Sequence, residues 1–317
     1  MIHRLPFRAM NTDMLACVEV DSDTPPAVLD EVPHWFADWE QTLSRFRPES
    51  ELSHLNAADS QPVPVSPTLW DVFQAAREAD RFTGGLVTPT VLDAMLEIGY
   101  DRSFESLTRE PAGAVLRDSA GGHAGPPQPA TLVGPLALVK FDEGARTITR
   151  PRGIRLDFGG VAKGWAAHQA MLRLSQFGPA LMNSGGDVAT SGRLRDGSPW
   201  EVGVFKPFDR SGDYLEMIHL AGGAVATSST DRRHWKQGGQ TRHHIIDPRT
   251  GLPAVSDVVS ATVVARTVLE AEAAAKLVLI RGSMDGLDWL EAESHLAALL
   301  VLDTEEILYS QRIVEYL

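Results

Sequence analysis

Two glycine-bearing turns of the sequence are candidate ligand-binding sites, and the first of them suits phosphate chemistry. In LDFGGVAKGW, Gly159 and Gly160 follow a predicted strand, RLDF, and lead into a predicted helix that carries Lys163. Backbone amides at a helix N-terminus, together with a lysine, favour a phosphate group. The spacing matches neither the Walker pattern nor GxGxxG, so an ordinary tight turn remains the alternative.

The second turn, MNSGGDVATSG, has two adjacent glycines followed by Asp187. Bare backbone lets a ligand approach closely, although a β-bulge would also explain the glycines. The turn is therefore a candidate binding site with a purely structural alternative.

A third segment concentrates hydroxyl and imidazole groups. ATSSTDRRHW and RHHIIDPRTG bring together Thr227, Ser228, Ser229, His234, His243 and His244. HExxH-like spacing is absent, and neighbouring residues on a strand point to opposite faces, so we expect one functional histidine and not a zinc cluster. The sequence also lacks a GxSxG elbow, and Cys17 has no evident activating neighbour, which argues against a nucleophilic hydrolase.

The stretch AEAAAKLVLIRG places Glu272 four residues before Lys276 in a predicted Ala-rich helix. Glu ahead of Lys at this spacing is the favoured orientation for an exposed salt bridge, which contributes only about a few tenths of a kcal/mol. The alternative is that one or both side chains face an active site. The two residues alone leave this question open.

Composition and charge exclude several classes of partner. The 317 residues include 29 Lys and Arg against 42 Asp and Glu, for a formal net charge of −13. Neither nucleic acid nor an anionic membrane would attract such a chain. A single cysteine cannot form an intramolecular disulfide. Without a secretory h-region or an apolar run of about 18 residues, we expect a cytoplasmic protein with no membrane insertion.

Hydrophobic periodicity predicts several helices. They cover residues 26–46, 66–85 and 161–178, and a last one begins near Thr267. Ser66 and Pro67 are typical of a helix start, and Gly84 is typical of the position after a helix end.

Short strands separated by turns account for most of the remaining sequence. They include a hairpin with its turn at Glu143–Gly144 and a closing pair at the C-terminus. This pattern predicts an α+β fold with antiparallel sheets and flanking helices, in one domain over residues 1–317 that could form two lobes. Residues 109–135, rich in Gly, Ala and Pro, are expected to form a surface excursion.

The order of the segments along the chain is more specific than any one of them. Nine ordered blocks resemble the ApbE family, the FAD:protein FMN transferases, over nearly the whole chain. The blocks are AMNTDMLACVEV, FRPESELSHLN, TGGLVTPTVLDAM, LDFGGVAKGWAAHQA, MNSGGDVATSG, WEVGVFKP, AVATSSTDRRHW, HHIIDPRTGLPA and AEAAAKLVLIRG.

The resemblance implies an ApbE-like two-lobed fold and a specific reaction. FAD would be cleaved at its pyrophosphate, AMP would leave, and FMN would be attached to a Thr or Ser hydroxyl in a flavinylation motif of an acceptor protein. A divalent metal, usually magnesium in this family, would bridge the diphosphate. Such a transfer needs neutralised phosphate charge and a base for the hydroxyl proton.

Site residues follow from the resemblance by position. His244, Lys163 and Lys276 are expected to be catalytic, with His244 assisting proton transfer or orienting the diphosphate. The Gly160 carbonyl and Glu272 correspond to metal-ligand positions. The residues expected to contact FAD are Met10, Phe46, Leu86, Val87, Thr88, Lys163, Asp187, Thr227 and Ile246.

Two departures from the family pattern concern the metal site and the edge of the pocket. Many members have Asp and Thr as metal ligands where this chain has Glu272 and Lys276, which should share a helix face turned into the cleft. A charged lysine cannot ligate magnesium, so our hypothesis is that Lys276 replaces part of the metal's charge and weakens or alters metal dependence. Thr88 stands where the family often has Asp.

Altered metal ligands leave two other functions open. The first is a non-catalytic FAD-binding or carrier protein. The second is an FAD pyrophosphatase, in which water replaces the acceptor hydroxyl and the products are FMN and AMP. Lys163, Asp187 and the HHIIDP block favour an active enzyme over a carrier protein.

Overall fold

The computed structural model describes residues 1–107, 132–209, 211–237 and 239–317. Most of the Gly/Ala/Pro-rich segment over residues 109–135 lies outside the described residues. The helices are α1 (Val28–Leu43), α2 (Glu51–Ala57), α3 (Pro67–Phe82), α4 (Leu92–Glu97), α5 (Ala162–Leu174), α6 (Val268–Arg281) and α7 (Ser283–Ala292).

Most of the strands are short and follow one another through tight turns. They are β1 (Ile2–Ala9), β2 (Thr12–Glu19), β3 (Val63–Pro64), β4 (Lys140–Asp142), β5 (Thr147–Thr149), β6 (Ala180–Ser184), β7 (Asp187–Thr190), β8 (Trp200–Phe205), β9 (Tyr214–Leu220), β10 (Gly223–Ser229), β11 (His234–Gln237), β12 (Gln240–His243), β13 (Ile246–Asp247), β14 (Leu252–Pro253), β15 (Val258–Ala265), β16 (Ala297–Leu302) and β17 (Ile307–Tyr309).

An antiparallel sheet of eight described strands organises these elements. Its order is β1-β2-β6-β7-β10-β15-β16-β17, and every pairing within it is antiparallel. The predicted α+β class with antiparallel sheets and flanking helices is therefore confirmed. Division of the chain into domains or lobes stays a prediction.

Alternation along the strands gives the sheet two apolar faces. On one face, Met182 and Ala189 pack under α5, and Ala226 and Val263 pack under α6. On the other face, the β8–β9 ribbon covers the sheet with apolar side chains, including Trp200. The helix-covered face matters for the site, because the ends of α5 and α6 meet there.

The predicted helix starts are confirmed by their capping contacts. The Ser66 hydroxyl accepts a hydrogen bond from the Leu69 N–H at 3.2 Å, with Pro67 in the first turn of α3. Thr267 and Glu270 form a capping box at the start of α6. Each cap satisfies backbone N–H groups that the helix itself leaves free. Among the described helices, none combines the length and apolar character of a membrane span.

Three local features differ from the predictions. The predicted strand RLDF is irregular, because the side chain of Asn56 hydrogen-bonds both the N–H and the C=O of Leu156, each at 2.8 Å, in place of a neighbouring strand. Gly185 and Gly186 form a two-residue hairpin turn and not a β-bulge, since Ser184 pairs directly with Asp187. Elements β1, α2, α4 and α7 went unpredicted because they lack a strong local signal.

The Gly185 turn gives a stability prediction. Gly185 has a φ of 67°, and a Cβ there would collide with the side chain of Thr12. Gly185→Ala should lower the free energy of unfolding by about 2–4 kcal/mol, through left-handed strain plus the collision. Urea denaturation measures the loss.

Gly84→Ala is the matched control for the collision. Gly84 has a similar φ of 62°, but its Cβ would meet no described atom within 4 Å. This variant should lose only the strain, about 1–2 kcal/mol. Equal losses for the two variants would contradict the packing assigned to Gly185.

Candidate functional site

A cleft of about 970 Å³ opens where the sheet edge meets the ends of α5 and α6. Five segments form its walls: the β1–β2 turn, the end of α1, the segment after α3, the Gly159–Gly160 turn and the β6–β7 turn. The β1–β2 turn is a two-residue hairpin in which Met10 and Asn11 have φ values of 47° and 59°. Positive φ at both central positions is what such a tight hairpin requires. The Met10 N–H donates to Glu40 at 2.9 Å, which fixes the turn against α1.

The cleft brings together the residues that the sequence resemblance selects. Those that line it are Met10, Phe46, Leu86, Val87, Thr88, Gly160, Lys163, Asp187, Thr227, His244, Ile246 and Lys276. Glu272 is the exception, because it lies behind the wall with a side chain only 1% exposed. The expectation that both residues of the pair face the cleft therefore holds for Lys276 but not for Glu272, which lies beneath the wall. The individual roles of these residues stay predictions.

Lys163 stands at the start of α5 and holds two carboxylates together. Its ammonium pairs closely with Asp187 at the first position of β7, and its Nζ lies 3.7 Å from Glu272 Oε1. Burial lowers the pKa of Lys163, but Asp187 and then Glu272 outweigh burial and raise the pKa above its ordinary value. Lys163 is therefore a fixed positive charge at the cleft wall.

Glu272 and Lys276 form a buried pair and not a surface salt bridge. Lys276 Nζ lies 2.9 Å from Glu272 Oε1, and the Gly164 N–H donates to Oε2 at 3.2 Å. Burial raises the pKa of Glu272, with Asp187 adding to it, while Lys276 and Lys163 oppose the rise. The carboxylate thus lies between two ammonium groups at the contact of α5 and α6.

His244 has an unused nitrogen beside this cluster. Its ring lines the cleft, and Nδ1 is buried without a hydrogen-bond partner among the described residues. Burial holds the pKa of His244 well below its ordinary value, and Arg233, His243 and Lys276 lower it further. A neutral imidazole with a free Nδ1 can accept a proton at neutral pH.

The neighbouring histidine has a different environment. The Nε2 atom of His243 is 3.0 Å from the carbonyl oxygen of Ala254, and burial lowers the pKa of the ring to about 4. This arrangement agrees with the expectation that adjacent histidines cannot both serve one site.

Two arginines that sequence reasoning missed complete the polar part of the cleft. Arg233 lines the cleft and acts electrostatically on Lys163, His244 and Tyr100. Arg45 pairs with Asp157, with Nε 2.5 Å from Oδ2, and its buried Nη2 has no described partner. Both lie in or beside blocks of the resemblance, but only long-range packing identifies them as neighbours of the site.

The wall beside Arg45 is aromatic. Its guanidinium carbon lies 4.1 Å from the ring centre of Phe46 and 4.6 Å from that of Tyr100. Leu86, Val87 and Ile246 extend the apolar lining. Flat rings stack on such a surface, while the cations at the other end of the cleft attract anions. Fold and site together define a protein whose cleft suits an aromatic, phosphorylated ligand.

Comparisons with known proteins agree with this class. The ApbE family model matches residues 10–300. The FAD:protein FMN transferase of Klebsiella pneumoniae is 29% identical over 281 residues, 86% of this chain and 81% of that protein; the one from Treponema pallidum is 28% identical over 91% of this chain and 81% of that protein. The chain belongs to the ApbE family.

Solved structures match over the full length of the chain. The crystal structure of the ApbE protein from Thermotoga maritima has a TM-score of 0.82 at 25% identity and covers 100% of this chain and 99% of that one. The flavin transferase ApbE from Vibrio cholerae has a TM-score of 0.77 at 22% identity, with the same coverage. The predicted family and fold are thereby confirmed.

The residues present do not fit a divalent metal held between Gly160 and Glu272. Both oxygens of Glu272 already contact N–H donors, and the Lys276 ammonium lies beside its Oε1. An ammonium offers no lone pair to a metal and repels one. In the described part of the chain, no three His, Cys, Asp or Glu side chains converge on one point.

Burial of His244 makes its titration testable. The ordinary histidine pKa is 6.5, and burial lowers that of His244 well below this value. We expect its ring protons to keep their chemical shift between about pH 7.5 and 6. NMR of the histidine ring protons, assigned with His244→Gln, measures this, and a midpoint at or above 6.5 would contradict the assigned burial.

The same shift has a consequence for stability. The pKa of His244 is lower in the folded protein than in the unfolded chain. As the pH falls below about 6.5, His244 therefore takes up a proton in the unfolded chain first, and this reduces the free energy of unfolding. His244→Gln should therefore lose less stability than the parent protein between about pH 7 and pH 5. Urea denaturation at the two pH values measures the difference, and an equal loss in both proteins would be the contrary result.

Proposed function

We propose that the protein is an FAD:protein FMN transferase. A Ser or Thr hydroxyl of an acceptor protein attacks the FMN-side phosphorus of FAD. A new O–P bond forms while the anhydride bond to the AMP moiety breaks, so FMN becomes attached through a phosphoester and AMP leaves. The hydroxyl loses its proton, and negative charge on the phosphates must be stabilised throughout.

One observation carries this proposal: a proton acceptor and a group of fixed cations converge in one cleft beside an aromatic wall. His244 Nδ1 is unpartnered among the described residues, and Lys163, Lys276 and Arg233 line the same cleft. In phosphoryl transfer the protein mainly has to position the reacting groups and stabilise the charge on the phosphates, and this arrangement supplies both.

In the proposed reaction His244 takes the proton of the acceptor hydroxyl. Its low pKa keeps the ring neutral, and a hydrogen bond to the backbone of Arg233 orients it with Nδ1 free. A positioned base of this kind contributes about 10²- to 10⁴-fold to the rate.

The cations hold the diphosphate while charge moves onto the leaving AMP. Lys163 is fixed by Asp187 and Lys276 is fixed by Glu272, so neither ammonium has to reorganise during the reaction. Arg233 adds a planar donor group suited to phosphate oxygens. Because the donors between Gly160 and Glu272 do not fit magnesium, the proposed reaction has no step through a metal.

The aromatic wall binds a flat ring system of FAD. Phe46 is 38% exposed, which leaves its ring free to stack, and Arg45 keeps an unpartnered Nη2 among the described residues. Stacking and a charge-assisted hydrogen bond would together fix the orientation of the dinucleotide.

The proposed partner is an acceptor protein with a Ser/Thr flavinylation motif. Transferase, pyrophosphatase and carrier all bind FAD but leave different products. Only the transferase adds the mass of FMN to an acceptor, the pyrophosphatase gives free FMN and AMP, and the carrier leaves FAD intact.

Incubation of the purified protein with FAD and a candidate acceptor, followed by intact mass measurement, tests the proposal. We expect a mass increase of one FMN on the acceptor and one AMP released for each. His244→Gln should slow this transfer by about 10²- to 10⁴-fold while FAD affinity changes little, because the lost group handles the proton.

The matched control is His34→Gln on the exposed surface of α1. It should transfer FMN at the parent rate. Free FMN with an unmodified acceptor would favour the pyrophosphatase instead, and intact FAD after long incubation would favour the carrier. Equal rates for His244→Gln and the parent would remove His244 from the mechanism.

A further inference from the structure

Lys276 stands at one metal-ligand position of the family resemblance and lies between the other two, Gly160 and Glu272. Its side chain crosses in front of Gly160, where an added Cβ would lie 3.7 Å from Cε and 3.9 Å from Cδ of the lysine. At its end, Nζ is 2.9 Å from Glu272 Oε1. The lysine side chain is only 14% exposed, and that exposed part faces the cleft.

Glu272 has the contacts of a counterion and not those of a metal ligand. Its Oε1 faces the ammonium groups of Lys276 and Lys163, and its Oε2 accepts the N–H of Gly164. With both oxygens engaged and the side chain behind the cleft wall, the carboxylate fixes Lys276 in position. It is a positioning residue that acts through the lysine.

The charges around this point favour a bound anion. Lys163 and Lys276 pair there with the carboxylates of Asp187 and Glu272, and Arg233 acts electrostatically on Lys163. All three cations line the cleft, and the two ammonium groups are fixed by their carboxylate partners. A phosphate group of the ligand would meet these cations without any added ion.

We propose that the Lys276 ammonium, held by Glu272, takes the place of a divalent metal at the diphosphate, so that this enzyme binds FAD and transfers FMN without magnesium. The inference rests on the proposed function for its transfer step. The FAD-binding part stands on the geometry alone. In phosphoryl transfer a metal ion neutralises the charge of the phosphates. Here the ammonium group of Lys276, which is part of the protein, would neutralise that charge.

FAD affinity and transfer rate, each measured with EDTA and with millimolar magnesium, test this. We expect both quantities to agree within about twofold between the two conditions, because a fixed lysine needs no added cation. Lys276→Met keeps the length of the side chain but removes its charge. It should weaken FAD binding by about 10- to 100-fold in both conditions, as the loss of one charge-assisted hydrogen bond implies.

A double variant gives the reverse test. Glu272→Asp with Lys276→Thr restores the acidic and hydroxyl pair common in the family, and it should gain magnesium dependence that the parent lacks.

Lys140→Met on strand β4 is the matched control, since Lys140 is exposed and outside the cleft. It should behave as the parent in both conditions. A thermal melt of each variant shows whether the fold is retained.

The outcomes separate this inference from the proposed function. FMN transfer or FAD binding that disappears in EDTA and returns with magnesium would overturn the role of Lys276 and leave the transferase standing. Metal-independent FAD binding without transfer to any acceptor supports the role of Lys276 and counts against the transferase. If FAD binds in neither condition, both proposals fail.

Discussion

Burial of the Glu272 carboxylate at the contact between α5 and α6 is the constraint on which the site depends. A buried carboxylate is tolerated only when charged and hydrogen-bonding partners surround it. Here Lys276 reaches it from the same helix, while Lys163 and the Gly164 N–H reach it from α5. Gly164 is required for the contact, because a Cβ there would collide with Oε2. The carboxylate therefore sets both the approach of the two helices and the position of both ammonium groups.

This local arrangement places fixed cations in the cleft of a protein whose overall charge is negative. The chain carries a formal net charge of −13, yet fixed cations line one end of the cleft. A cleft with low-dielectric walls focuses such a local field, so it governs binding more strongly than the distant surface charge does. Because the Glu272 carboxylate lies behind the ammonium groups, an anion in the cleft meets their positive charge first.

Sequence reasoning succeeded where a local pattern decides the structure and failed where a distant residue does. Ser66 caps its own helix within three residues, so its capping pattern was enough to predict the helix start. The segment before Gly159 reads as a strand, but Asn56 satisfies the backbone of Leu156 from 100 residues away. Arg233 was missed for the same reason, since its neighbours in the site come from other elements.

The pair Glu272 and Lys276 shows how far the sequence could have gone. Their spacing also suits a surface salt bridge, but the three residues between them are alanines, and the buried residues leave α6 without a broad polar face. A helix that is apolar nearly all round is buried, and charged residues within it must then be paired. The alanines therefore predict that the pair is internal. They contain no information about Lys163, which enters from α5 and joins the pair to the cleft only once the fold has formed.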